Sequence, residues 1–312
     1  MGSRGAAKVQ TMEQDMRIED IKDPIDRFVA FIEERENIRQ RRLSGKPWPW
    51  TNDDIMQSYR FTNIHREDDK VSLHYQKSIR NRYGEHPMVL PATVAYRWFN
   101  RISTCDAFFN EPTLANETIF EEYINTNNLL ILQHCLAKLP TPHVTGAYII
   151  NGKPGFSKGL GVLEYVYSWC QRDWMGQWQH WKEHTPFLRD VYDWIIGEGL
   201  GSFMRGQIIA DLKYVPFMLN APDWWIWATP GPGSMKGLNI VYEREIDAPW
   251  HKGQWLETLM KLSETVTPKL EEIGIGRLHN QDLQNCLCEF SKYTKTARGI
   301  GRPRQVFQYS GG

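Results

Sequence analysis

The sequence carries no net charge, since 37 Lys and Arg balance 37 Asp and Glu. That excludes a protein that coats nucleic acid by bulk basicity. A DNA binder with this balance must gather its cations on one face. There is no apolar run long enough to span a bilayer and no apolar core behind a basic N-terminus, so neither a membrane span nor a secretion signal is expected. There is no CxxC pair. The five cysteines, Cys105, Cys135, Cys170, Cys286 and Cys288, are odd in number. A single residue between the last two makes a poor metal clamp, so they read as free thiols of a reducing compartment and no metal site is expected. No Gly-x4-Gly-Lys-Ser/Thr run occurs, which excludes an ATP site of the P-loop kind. No internal repeat is visible, and no stretch is rich enough in Gly or Ser to divide the chain. Strand signals are scarce: the best candidate is 144–150, and Gly146 and Ala147 weaken it.

Aromatic residues are plentiful, at 12% with 13 Trp. Extra tryptophan fills a core or stacks on bases, and the core is expected to take most of it. The length suits one large domain or two closely packed lobes. Residues 1–16 read as a disordered leader, 17–300 as one helical domain with a lobe junction near 150–160, and 301–312 as a flexible tail. Ile25, Phe28, Val29 and Ile32 recur at i, i+3, i+4 and i+7, which predicts a helix to about Arg42. Its other face carries Glu33, Glu34, Arg35, Glu36, Arg39, Arg41 and Arg42 and reads as solvated and salt-bridged. Gly45, Pro47 and Pro49 then break it. Thr51 with Asp54 resembles a capping box and predicts a helix over 52–66. Further helices are expected at 70–82, 91–101, 113–138, 159–175, 185–197, 202–213, 252–272 and 280–293. The fold class is therefore all-α.

Three segments have the composition of a site. On the expected 52–66 helix, Arg60, Asn63 and Glu67 would share a face beside Tyr59 and behind Trp50. Arg and Asn among aromatics suit an anion site or a hydrogen-bond network bracing two lobes. The second segment is Gly199-Leu200-Gly201-Ser202, with Arg205 following, between two expected helices. Its glycines permit a sharp turn, and the free N–H groups opening the next helix suit a phosphate. An ordinary αα-corner is the bland alternative. The third is Trp224-Trp225-Ile226-Trp227 running into Pro230-Gly231-Pro232-Gly233-Ser234-Met235-Lys236. A rigid loop there could offer N–H groups, a hydroxyl and a lysine to an anion, or could be a structural turn braced by Trp.

The run FIEERENIRQRRLSGKPWPWTNDDIMQSYRFTNIHREDD resembles the signature of the family of 5-hydroxymethyluracil DNA kinase helical domains and α-glutamyl/putrescinyl-thymine pyrophosphorylases. TGAYII at 145–150, GLGSFMRGQIIADL at 199–212, WATPGPGSMKGLN at 227–239 and NCLCEFSKY at 285–293 agree with it. The resemblance implies a two-lobed helical fold like that of helix-hairpin-helix DNA glycosylases. It implies a place in phage thymine hypermodification, where pyrophosphate on hydroxymethyluracil in DNA is replaced by an amine. It also implies double-stranded DNA carrying modified thymine as a partner, an amino acid or polyamine as donor, no cofactor, and a monomer in the cytoplasm, the host's if the chain is viral.

Pyrophosphate leaving a pyrimidine CH2 group needs cations and an aligned nucleophile. Arg60, Arg66, Ser234, Lys236 and Lys292 are the expected anion-binding residues. The amine must lose a proton, and Glu67, Asp223 and Glu289 are the candidate bases. Gly199, Gly201, Ser202 and Arg205 are expected on DNA phosphate, with Asn63, Trp50, Gly231 and Gly233 in support. The base would leave the duplex to be reached, and the aromatics near 223–227 could receive it. Two other readings stay open: a glycosylase excising a modified base, and a non-catalytic DNA-binding or kinase-accessory module.

Overall fold

The computed structural model describes residues 17–147, 149–251, 253–303 and 306–309. The expected leader, 1–16, lies outside the described residues, as do 304–305 and 310–312 of the expected tail. The protein is all-α: among the described residues no strand forms, and pairing is confined to two isolated bridges. The helices are α1 (Pro24–Leu43), α2 (Asp54–Ser58), α3 (Lys70–Tyr75), α4 (Asn81–Tyr83), α5 (Val89–Phe99), α6 (Ile102–Phe109), α7 (Ile119–Thr126) and α8 (Leu129–Lys138). They continue as α9 (Lys158–Cys170), α10 (Trp174–Glu183), α11 (Leu188–Trp194), α12 (Ser202–Leu212), α13 (Pro232–Val241), α14 (Gln254–Glu272) and α15 (Asn280–Ala297). A π-helical turn, Gln76–Arg80, joins α3 to α4.

The ends of α1 follow its sequence. Asp23 Oδ1 accepts the N–H groups of Ile25 and Asp26 at 2.8 and 2.9 Å, and Pro24 stands at the first position, where its missing N–H costs nothing. Arg35 and Glu36 depart from expectation. Both are buried rather than on a solvated face. The helix expected over 52–66 is α2 alone. Its cap is Asp53, whose Oδ1 accepts from Ile55 and Met56 at 2.9 Å, while Thr51 Oγ1 receives the Asp53 N–H at 3.1 Å. The helix expected over 113–138 splits into α7 and α8 at Asn127, which takes a left-handed φ of 51°. The 144–150 segment forms no strand among its described residues.

Two apolar clusters form the interior. The first runs from Tyr75 to Trp227 and centres on α5, every residue of which is buried. The second joins α1 to α13, α14 and α15, so the two ends of the chain close one lobe and its middle builds the other. The crossings fall between Ile64 and Tyr75 and at Trp227–Ala228. Residues 150–160 connect α8 to α9, and both Ile150 and Val162 belong to the first cluster.

In the second lobe α13 lies against α15 at glycine range. A Cβ on Gly233 would collide with Cys288 Sγ, and one on Gly237 would overlap the Leu287 carbonyl and stand 3.0 Å from its Cα. The Pro-Gly-Pro-Gly run is thus the start of a helix. Pro232 occupies its first position, and the two glycines, one turn apart, admit the neighbouring backbone.

Candidate functional site

Residues 59–65 form no helix, with Tyr59 and His65 extended, and the reason lies in distant partners. Arg35 on α1 donates from Nη2 to Phe61 O at 2.8 Å and to Thr62 O at 3.0 Å. From the other side α15 presents four residues at i, i+3, i+7 and i+10. Asp282 Oδ1 accepts the Arg66 N–H at 3.1 Å, Asn285 Nδ2 donates to Thr62 Oγ1 at 2.9 Å, Glu289 Oε2 accepts the Thr62 N–H at 3.2 Å, and Lys292 Nζ donates to Arg60 O at 2.9 Å. A helix face thereby replaces the strand that an extended backbone would otherwise need.

This segment forms one wall of a cleft of about 1630 Å³ between the lobes. The volume exceeds the roughly 300–1,000 Å³ usual for a small-molecule pocket, so the cleft is large enough for more than one metabolite. Its described lining holds ten Lys and Arg against three Asp and Glu. The chain as a whole is neutral, so the cleft is where its cations are concentrated.

Arg66 bridges the lobes at the cleft wall. Its Nη1 donates to Gln207 Oε1 on α12 at 2.5 Å, and its Nη2 lies 3.5 Å from Asp211 Oδ1. Asp211 is fully buried and already holds Arg97 of α5 through both oxygens, one contact at 2.5 Å. One carboxylate thus faces two guanidiniums. Arg66 Nε and Nη2 are buried without a hydrogen-bond partner among the described residues. Unpaired buried donors on a guanidinium make a place for an anion.

Two carboxylates line the same cleft nearby. Glu289 Oε2 is 2.6 Å from Lys292 Nζ, whose ammonium also lies 4.6 Å from the centre of the Phe61 ring. Asp69 accepts the Asn63 N–H at 3.0 Å, and burial, opposed by that hydrogen bond and by the charge of Arg66, pushes its carboxyl up to about 6. A carboxylate poised there exchanges protons near neutral pH.

The chain matches the family described as "5-hmdU DNA kinase, helical domain" over residues 22–300. It belongs to that family. It is 26% identical over 294 residues to a "5-hmdU DNA kinase" of Bacillus phage SP10, an alignment covering 86% of this chain and 44% of the relative. The chain therefore spans less than half the length of that curated kinase. No solved structure matches the chain.

The motifs that carry the family resemblance at 31–69, 227–239 and 285–293 meet in the second lobe and the cleft wall. Of the expected site residues, Arg60, Arg66, Lys292, Glu289, Asn63, Trp50 and Gly231 line the one cleft. Others lie outside its lining. Glu67 pairs with Arg80 in a separate surface hollow beside Tyr214, and burial raises its carboxyl. Asp223 accepts the N–H groups of Leu188 and Arg189 at 2.6 and 3.1 Å, which anchors the start of α11. Ser234 exchanges hydrogen bonds with Gly231 inside the cap of α13, and Lys236 pairs with Asp247 at 2.6 Å. Gly233 is spent on the α15 contact.

The Gly199–Gly201 turn is looser than a two-helix hairpin, because residues 195–201 separate α11 from α12. Gly199 has a φ of +76°, and a Cβ there would stand 2.6 Å from the Tyr165 ring. Gly201 and Ser202 are exposed at the start of α12, and Arg205 donates to Tyr192 O at 3.2 Å. None of the four is in the cleft lining, which takes Phe203 and Gly206 from the same segment. Trp224, Trp225 and Trp227 also lie outside the lining. Sequence reasoning missed Asp69, Gln207 and the Arg97–Asp211 pair. Only Asp69 had a local signal, as the last of the three consecutive acids Glu67, Asp68 and Asp69.

Proposed function

We propose that this protein is a transferase acting on DNA whose thymines carry a pyrophosphorylated hydroxymethyl group, and that it replaces the pyrophosphate with an amine. The observation carrying this reading is Arg66, with two guanidinium nitrogens unsatisfied in a cleft where cations outnumber acids. In the proposed step the bond from the thymine CH2 to the pyrophosphate oxygen breaks, and a bond from that carbon to the amine nitrogen forms. Arg66, with Arg60 and Lys292 along the same wall, neutralises the departing pyrophosphate. Asp69 takes the proton that the incoming ammonium gives up, and Glu289 holds Lys292 in place. This sequence has no P-loop of its own, which favours a step that follows phosphorylation. On this reading Asp69, Glu289 and Lys292 act together in one cleft.

The test is direct. DNA bearing pyrophosphorylated hydroxymethyluracil is incubated with the protein and each amino acid or polyamine, then digested to nucleosides and weighed by mass spectrometry. An aminated thymine together with released pyrophosphate is expected. Abasic sites would instead identify a glycosylase, and unchanged nucleosides with bound DNA would identify a module that serves a kinase.

A further inference from the structure

We propose that Trp48, Trp50, Phe307 and Tyr309 form a stacking platform for unpaired nucleobases along the wall of the cleft. The inference rests on DNA being the substrate, and gives the strand a second anchor apart from the chemistry. Trp48 and Tyr309 stack with ring centres 5.7 Å apart and planes 14° from parallel, and Trp50 meets Tyr309 and Phe307 edge-on at 5.8 and 6.1 Å. The rings are held from both sides. Trp50 Nε1 donates to Lys46 O at 2.7 Å, Trp50 O accepts from Arg41, and the Phe307 N–H donates to Ser58 O at 2.9 Å beside the Tyr59–Val306 bridge. Residues 306–309 of the expected flexible tail are therefore fastened along the cleft.

Two features separate this cluster from an ordinary core. Trp48 and Tyr309 remain 40% and 48% exposed although they sit in a stack, so ring surface stays open to solvent. Around them Arg42, Lys46 and Arg60 are exposed and make no ion pair among the described residues, whereas Arg39 and Arg41 of the same stretch are paired to Glu36, Asp68 and Glu34. Open aromatic faces next to unneutralised cations match an unpaired strand. Every base has a face to stack, and each phosphate answers a cation, so binding is tolerant of sequence. A duplex with one base drawn out leaves the opposite base unpaired and able to stack there.

The test uses unmodified, fluorescein-labelled DNA and reads anisotropy, so it is independent of any transfer reaction. Gapped duplex with a short single-stranded dT segment should bind more tightly than intact duplex. Trp48→Ala and Tyr309→Ala should each weaken binding of the gapped DNA about tenfold and leave duplex affinity unchanged, and Trp48→Phe should retain most of it. Arg42→Gln and Lys46→Gln should each lower the salt slope by about 0.7. Unchanged melting temperatures are expected at such exposed positions and confirm folded variants. Equal affinity of the alanine variants and the wild type for gapped DNA would overturn the proposal. So would a gain in affinity, which would make the 306–309 segment a strap that closes the cleft.

Discussion

Arg66→Lys separates a catalytic anion site from a structural brace. Lysine keeps the charge and loses the planar fork. Three nitrogens are in question. Nη1 holds Gln207 at 2.5 Å, Nη2 lies 3.5 Å from Asp211, and Nε has no hydrogen-bond partner among the described residues. Losing the Gln207 bond costs about 0.5–1.5 kcal/mol of stability, which is a shift of a few degrees at most in a chain of this size. The reactive cost is larger. Asp211 is committed to Arg97, so on the proposed reading the two donors of Arg66 without a hydrogen-bond partner serve the leaving pyrophosphate. Removing donors aimed at a developing anion lowers turnover by about 10²–10³. Melting temperature, DNA affinity and single-turnover pyrophosphate release, measured on one preparation, should show a near-normal fold, near-normal binding and a collapsed rate. A lower melting temperature with full turnover per folded molecule would refute the anion site and leave Arg66 as a brace between lobes.

Two other outcomes are expected. Gly237→Ala should destabilise the protein by about 1–3 kcal/mol in thermal or urea unfolding, because its Cβ would overlap the Leu287 backbone, whereas a helix glycine with space around it would gain up to about 1 kcal/mol from the same change. A stabilised variant would mean that α13 and α15 do not meet as described. Asp69 titrates in the fold at about 6 against an ordinary 3.8, so the stability it contributes is full below pH 4 and is lost as pH rises through about 6. Turnover should rise through the same window as the base ionises, and a rate limb near pH 6 that survives in Asp69→Asn would show that another group is the base.

The long helices were legible because their apolar spacing is a local property. α1, α5, α12, α14 and α15 all fall close to their expected places. The non-helical segment 59–65 was not, since Ile55, Tyr59 and Thr62 suit a helix face as well as they suit what forms. The choice is made by Arg35 and by α15, which lies more than two hundred residues further along the chain. α13 was read as a loop because proline and glycine usually punctuate. Here proline starts a helix, and glycine serves a close approach between helices.

The candidate site shows the same division between residue type and residue use. Asp223, Ser234 and Lys236 have the right chemistry for an active site, but Asp223 and Ser234 answer nearby backbone groups and Lys236 answers Asp247. A sequence displays a carboxylate without displaying which N–H it is bound to. Glu289 and Lys292 could be seen as a helix pair at i and i+3, which by itself favours an exposed salt bridge. Their further partners, the Thr62 N–H and the Arg60 carbonyl, turn that pair into part of the cleft wall. The segments 31–69 and 285–293, so far apart in sequence, are therefore one physical unit. The helix side chains set the path of the backbone on which Arg60, Asn63 and Arg66 stand, so a change at Asn285 or Glu289 should act on the proposed anion site through that backbone, without either residue having to touch a substrate.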